Sequence, residues 1–152
     1  RFSRCVMEAF PGSFRHIATR VPVLHVGNPV REDIVQIPAA QGRLAGRKGP
    51  VRIFVMGGSL GALKLNEVVP QAVAALSRSV EIWHQCGDRH LETTRAHYAS
   101  AGVEARIERF IEDMVEAYAW ADLVIARAGA LTVSELTQVG VAAILVPYPY
   151  AV

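Results

Sequence analysis

The chain has 152 residues, 51% of them apolar and 20% charged, and a formal net charge of +2. That is enough apolar material for one ordinary domain core, which excludes a disordered chain. The charge is too weak, with only Arg43, Arg47 and Lys48 loosely grouped, to indicate a nucleic-acid partner.

The first twenty residues place Phe2, Val6, Phe10 and Phe14 at helical spacing, broken by Pro11 and Gly12. Residues 23–26 predict a short strand, closed by Gly27, Asn28 and Pro29. The polar, glycine-rich residues 41–50 read as a loop or linker. From Val51 a regular alternation sets in. Residues 51–56 form a β-branched run that predicts a buried strand. Leu65, Val68, Val69, Ala72, Val73 and Leu76 follow the spacing of an amphipathic helix, which Pro70 must kink or restart. Strands are predicted over 80–85, 105–110, 123–126 and 142–146. Helices are expected around Leu91–Tyr98, around Met114–Tyr118, and from Gly129 to Gly140. Strands alternating with helices imply crossover connections and a parallel sheet, so the expected fold is a Rossmann-like, doubly wound α/β domain. The division expected is residues 1–49 as the end of a preceding domain with its linker, and residues 50–152 as an incomplete nucleotide-binding domain. Arg1 at the start and an apolar strand near the end give both termini the look of cuts.

The two cysteines, Cys5 and Cys86, lie far apart and read as free thiols. Five histidines lack the spacing of a metal helix, so neither a metal nor a cofactor is expected. No stretch reaches the 18 apolar residues of a membrane span. His84, Trp83 and Trp120 read as packing residues.

Glycine concentrates in two loops. One, residues 57–61, follows the first strand of the alternating region. The other, around Gly129, follows the fourth. In a doubly wound sheet those strands are neighbours, and the crevice between their carboxyl ends is where ligands bind. Each loop opens a helix, whose first N–H groups are unpaired and carry partial positive charge. Ser59 and Thr132 add hydroxyl donors, and the combination suits a diphosphate. The first loop is neither the dinucleotide fingerprint nor a P-loop. An NAD site would want an acid at the end of the second strand, where Gln85 stands. Glu135, one turn inside the last helix, is placed to accept the hydroxyls of a ribose.

Five segments in order and spacing then resemble a known family: Gly27 to Arg31, Gly57 to Ala62, Phe110 to Met114, Tyr118 to Asp122, and Gly129 to Glu135. Together they are similar to the MurG family of peptidoglycan N-acetylglucosaminyltransferases, over nearly the whole chain. The resemblance implies a GT-B enzyme of two Rossmann-like domains, of which this chain covers the end of the first, the linker and most of the second. It implies inverting transfer of N-acetylglucosamine from UDP-N-acetylglucosamine to a lipid-linked muramyl-pentapeptide, giving lipid II for cell-wall growth. Such an enzyme sits peripherally at the cytoplasmic face of the bacterial inner membrane. By the same resemblance Arg31 and Ser59 are donor contacts, and the Ile111 backbone reads the uracil edge. Ala130, Leu131, Thr132, Val133, Ser134 and Glu135 form the main donor segment, with Glu135 on the ribose. The general base, acceptor site and membrane contact belong to the first domain, and the sugar-reading segment lies beyond residue 152. No catalytic residue is expected in this chain. On its own it should be marginally stable, inactive in transfer and at most a weak UDP binder. A non-catalytic UDP-sugar-binding subunit, an epimerase of the same layout and an NAD-binding module are the other readings weighed.

Overall fold

A computed structural model of the chain describes residues 3–17, 20–57 and 62–148. Its centre is a five-stranded parallel sheet. In chain order the strands are β3 (Val51–Met56), β4 (Val80–Gln85), β5 (Arg106–Glu108), β6 (Leu123–Arg127) and β7 (Ala142–Val146). In space they run β5-β4-β3-β6-β7, so the order reverses between β3 and β6 as a doubly wound sheet requires. Because every pair is parallel, all the loops that leave the strands lie at one edge.

The helices sort onto two faces. On one, α3 (Leu63–Ala74) and α4 (Leu91–Ser100) bury Leu65, Val69, Val73 and Tyr98 against Ile53, Val55 and Ile82. On the other, α5 (Met114–Trp120) and α6 (Ala130–Val139) bury Ala117, Tyr118, Leu136 and Val139 against Phe54, Met56, Trp83, Val124 and Ala126. The alternate residues of β3 thus serve opposite cores, the two-sided burial that a parallel sheet imposes on its central strand. Helix α3 stays continuous through the buried Pro70. The missing N–H costs one intrahelical bond without ending the helix. Helix α6 stops where Gly140 takes a left-handed conformation, φ +66°.

Upstream lie β1 (Val6–Glu8), β2 (Val23–His25), α1 (Glu32–Val35) and α2 (Ala40–Leu44). Strands β1 and β2 pair in parallel as a separate two-stranded sheet. The helical spacing of the first residues is therefore misleading: Val6 forms a strand because it finds a partner at Val23, seventeen residues on. Part of the expected 41–50 loop is also helical, as α2. Ile34 and Ile37, both buried, join the core beneath α5 and α6. Each such side chain contributes about 2 kcal/mol by removal from water. Arg43 donates to the carbonyls of Pro38, Tyr118 and Val139 at 2.9, 3.3 and 3.1 Å. Arg47 forks onto Asp122, which also accepts the Arg52 N–H at 2.8 Å. Residues 34–47 are thereby fastened to the sheet. Among the described residues, β7 pairs only with β6, leaving Ile144 and Leu145 half exposed. No helix among them is long and apolar enough to cross a membrane.

Candidate functional site

The residues of the predicted site fall at the carboxyl edge of the sheet, at the ends of the paired strands β3 and β6. Of the first glycine loop only Gly57 and Ala62 are described. Ser59 lies outside the described residues. Ala62 caps α3 without a side-chain bond, and the first turn of that helix holds no acid. Helix α6 has the same unprotected start. Its cap is Gly129 in an extended conformation, no side chain caps it, and no acid stands in its first turn. The first N–H to find an intrahelical acceptor is that of Val133, bonded to the Gly129 carbonyl at 2.9 Å. The amides of Ala130, Leu131 and Thr132 are the ones the helix leaves over. A Cβ on Gly129 would sit 3.5 Å from Thr132 Oγ1, so the threonine hydroxyl lies over the cap. Three amides, a hydroxyl and a helix dipole at one spot, with no carboxylate in the first turn of the helix, attract an anion.

Glu135 follows one turn deeper. Its side chain is only 18% exposed. The Tyr118 hydroxyl donates to Oε2 at 2.8 Å, and Arg31 Nε lies 3.8 Å from Oε1. Burial, and then the neighbouring carboxylate, push the Tyr118 phenol well above its ordinary range, so it remains a proton donor. Ser134 accepts from Asn28 Nδ2 at 3.0 Å and donates to the Ala130 carbonyl at 3.0 Å. Residues 28–31, some hundred positions upstream, therefore lie along α6. Of the expected site residues, Arg31, Ala130, Leu131, Thr132, Val133, Ser134 and Glu135 come together here. Val133 is half-buried and offers no free amide.

Ile111 sits at the same edge, beyond β5. It is buried, and its N–H donates to Gln85 Oε1 at 2.9 Å. The amide is thus already committed within the protein. Phe110, beside it, is 56% exposed. The sequence places Phe110 as the last residue of a predicted strand, 105–110, but β5 ends earlier, at Glu108.

A second network sets the start of α3. Asn66 Nδ2 donates to the Cys86 carbonyl at 2.9 Å, which turns Oδ1 toward His84 Nε2 at 3.0 Å. Since that oxygen can only accept, His84 carries its proton on Nε2. Nδ1 is then free to accept from the Tyr98 hydroxyl at 2.9 Å. His84 is fully buried, and burial lowers its pKa to about 4. The histidine read as packing is a neutral structural link between α3, β4 and α4. Burial likewise raises the Cys86 thiol.

Comparison with known proteins agrees with this architecture. The family model described as "Glycosyltransferase family 28 C-terminal domain" matches residues 52–152. A relative from Marinobacter nauticus is 53% identical across 100% of this chain and 42% of its own length. One from Nitrosococcus oceani is 52% identical across 97% of this chain and 41% of its own length. Both bear the name UDP-N-acetylglucosamine--N-acetylmuramyl-(pentapeptide) pyrophosphoryl-undecaprenol N-acetylglucosamine transferase. The crystal structure of Acinetobacter baumannii MurG superposes with a TM-score of 0.80 at 40% identity, covering 99% of this chain and 41% of that one. The chain therefore spans about two fifths of the length of the relatives it matches.

Proposed function

The chain belongs to the family of the glycosyltransferase family 28 C-terminal domain, and from that membership we propose that it supplies the UDP-N-acetylglucosamine site of an inverting N-acetylglucosaminyltransferase. The acceptor in this reading is a lipid-linked muramyl-pentapeptide, and the product is lipid II for peptidoglycan. The enzyme works peripherally at the cytoplasmic face of the membrane. Residues 1–49 are read as the end of the acceptor-binding domain and the link to this one, and residues 50–152 as the donor-binding domain.

The observation that carries the proposal is the open start of α6 beside Glu135. The amides of Ala130, Leu131 and Thr132 would face the diphosphate, with Ser59 contributing from the first loop. Glu135 would accept the ribose hydroxyls on its two oxygens, Arg31 would move from Glu135 toward the phosphates, and the Ile111 carbonyl would accept from the imide N–H of uracil. The acceptor hydroxyl attacks the anomeric carbon opposite the leaving group, which inverts the configuration. The bond from that carbon to the phosphate oxygen breaks, and its electron pair goes to UDP. The charge thus gained meets N–H groups already aligned, where electrostatic preorganisation acts most strongly on a rate. The acceptor's proton goes to a base outside these residues.

Binding of UDP, UDP-N-acetylglucosamine, UDP-glucose and NADH, followed by thermal shift in EDTA, tests the reading. A UDP ligand at 100 times its Kd stabilises the protein by about 2.7 kcal/mol, and Glu135→Ala removes most of that. Stabilisation by NADH with no response to UDP would overturn it.

A further inference from the structure

Beneath Glu135 lies a side chain that the donor site as proposed leaves without a role. Tyr118 has no exposed surface, and its ring is clamped from several sides. Phe54 meets it edge-on at 6.0 Å, and its own backbone carbonyl is held by Arg43. Its hydroxyl has two neighbours, Glu135 Oε2 at 2.8 Å and the sulfur of Met56 at 3.6 Å. A thioether is a weak acceptor. Among the described residues, Glu135 is therefore the one strong acceptor within reach of this buried phenol. Separating the two would strand a buried hydroxyl.

From this we infer that Tyr118 is the positioning residue for ribose recognition: it fixes the Glu135 carboxylate in the orientation that receives the sugar hydroxyls. The inference rests on the donor-site reading of Glu135 given above. A glutamate on a helix has three side-chain torsions to lose before it can make two hydrogen bonds at once, and Tyr118 removes that freedom before the ligand arrives. It does so without using up the site. Each carboxylate oxygen has two lone pairs, so Oε2 can accept from Tyr118 and from one ribose hydroxyl while Oε1 takes the other. Arg31, half exposed and 3.8 Å from Oε1, is loosely held by comparison and leaves that oxygen open. The geometry also ties the base of the site to the sheet. Met56 is the last residue of β3, so Tyr118 reaches the strand that feeds the first glycine loop, while its partner Glu135 stands on the helix opened by the second.

The test compares UDP with 2′,3′-dideoxy-UDP by calorimetry on the full-length protein, as wild type, Tyr118→Phe and Glu135→Ala. Two charge-assisted hydrogen bonds to a carboxylate correspond to roughly a 100-fold preference of the wild type for UDP. Tyr118→Phe keeps the ring and its packing on Phe54. It is expected to cut the preference below about 10-fold, with the loss falling on UDP and the affinity for the dideoxy ligand nearly unchanged. A merely structural role would weaken both ligands alike and leave the ratio intact. If the phenylalanine variant does not fold, 4-fluorophenylalanine at position 118 fills the hydroxyl's place without donating a proton and reads the same ratio. A ratio preserved in the Tyr118 variant but lost in Glu135→Ala overturns the positioning role alone. A wild type that binds UDP and its dideoxy analogue equally removes the ribose reading of Glu135 and the inference with it.

Discussion

Lowering the pH from 7.5 to 4.5 will destabilise the fold through His84. The imidazole lies fully buried between Asn66 and Tyr98, with its pKa lowered from 6.5 to about 4 by loss of solvent. Between those two values the unfolded chain binds a proton that the folded chain refuses, so stability falls as pH drops through 6.5 and levels off below about 4. Over the stated interval the linked loss is about 2.5 kcal/mol, or roughly 5–10 °C in Tm for a domain of this size. The network explains why the charge is unwelcome. A proton on Nδ1 would face the Tyr98 hydroxyl, which now donates there, and the only other partner among the described residues is the neutral amide of Asn66. Tyr98, whose own phenol burial pushes above its ordinary range, offers no anion in exchange. Imidazole NMR reads the pKa directly. Urea midpoints at the two pH values, for wild type and His84→Gln, separate its share from that of the carboxylates. A His84 titration near 6.5 in the folded protein, or identical pH slopes for the two proteins, would refute the reasoning.

Two further outcomes concern the frame. Asp122→Ala strips Arg47 of its carboxylate and leaves the Arg52 N–H without its acceptor, so urea denaturation should show a loss of about 2–3 kcal/mol. Gly140→Ala meets only the Ala40 methyl at 3.8 Å, yet must hold φ at +66°. Its cost should be about 1 kcal/mol, all of it conformational, and a thermal shift larger than a few degrees would contradict the open space beside it.

The sheet was legible because it obeys local rules. Val51 to Met56 is a short run rich in β-branched residues and Ala142 to Val146 a short apolar one, and the structure gives both with the expected ends. That the first and fourth strands of the alternating region are neighbours followed from the order of a doubly wound sheet rather than from any residue. What escaped was non-local. Val6 and Phe10 share a helical spacing, but Val6 pairs with Val23. Gly42 and the polar residues around it disguised α2, whose Arg43 finds its acceptors on helices far along the chain. In the candidate site, glycine and acid positions were visible along the sequence, and so was the clustering of residues 130–135. The partners of those residues were not. Tyr118 and Glu135 lie on separate helices with β6 between them, and Asn28 reaches Ser134 across 106 positions. Nor does spacing reveal that the Ile111 amide is taken by Gln85, since that bond joins the last residue of β4 to the segment after β5.

Neither α5 nor α6 has a basic residue in its last turn. Both helices end beside the guanidinium of Arg43, which touches the carbonyls of Tyr118 and Val139. A single cation from elsewhere in the chain thus neutralises the negative poles of two neighbouring helices, whose positive poles lie toward the opposite rim. The planar fork of an arginine can bridge two such ends at once, whereas an ammonium acts as a single point charge. The polarity of this half of the molecule is therefore anchored from behind, at the end farthest from where it is used.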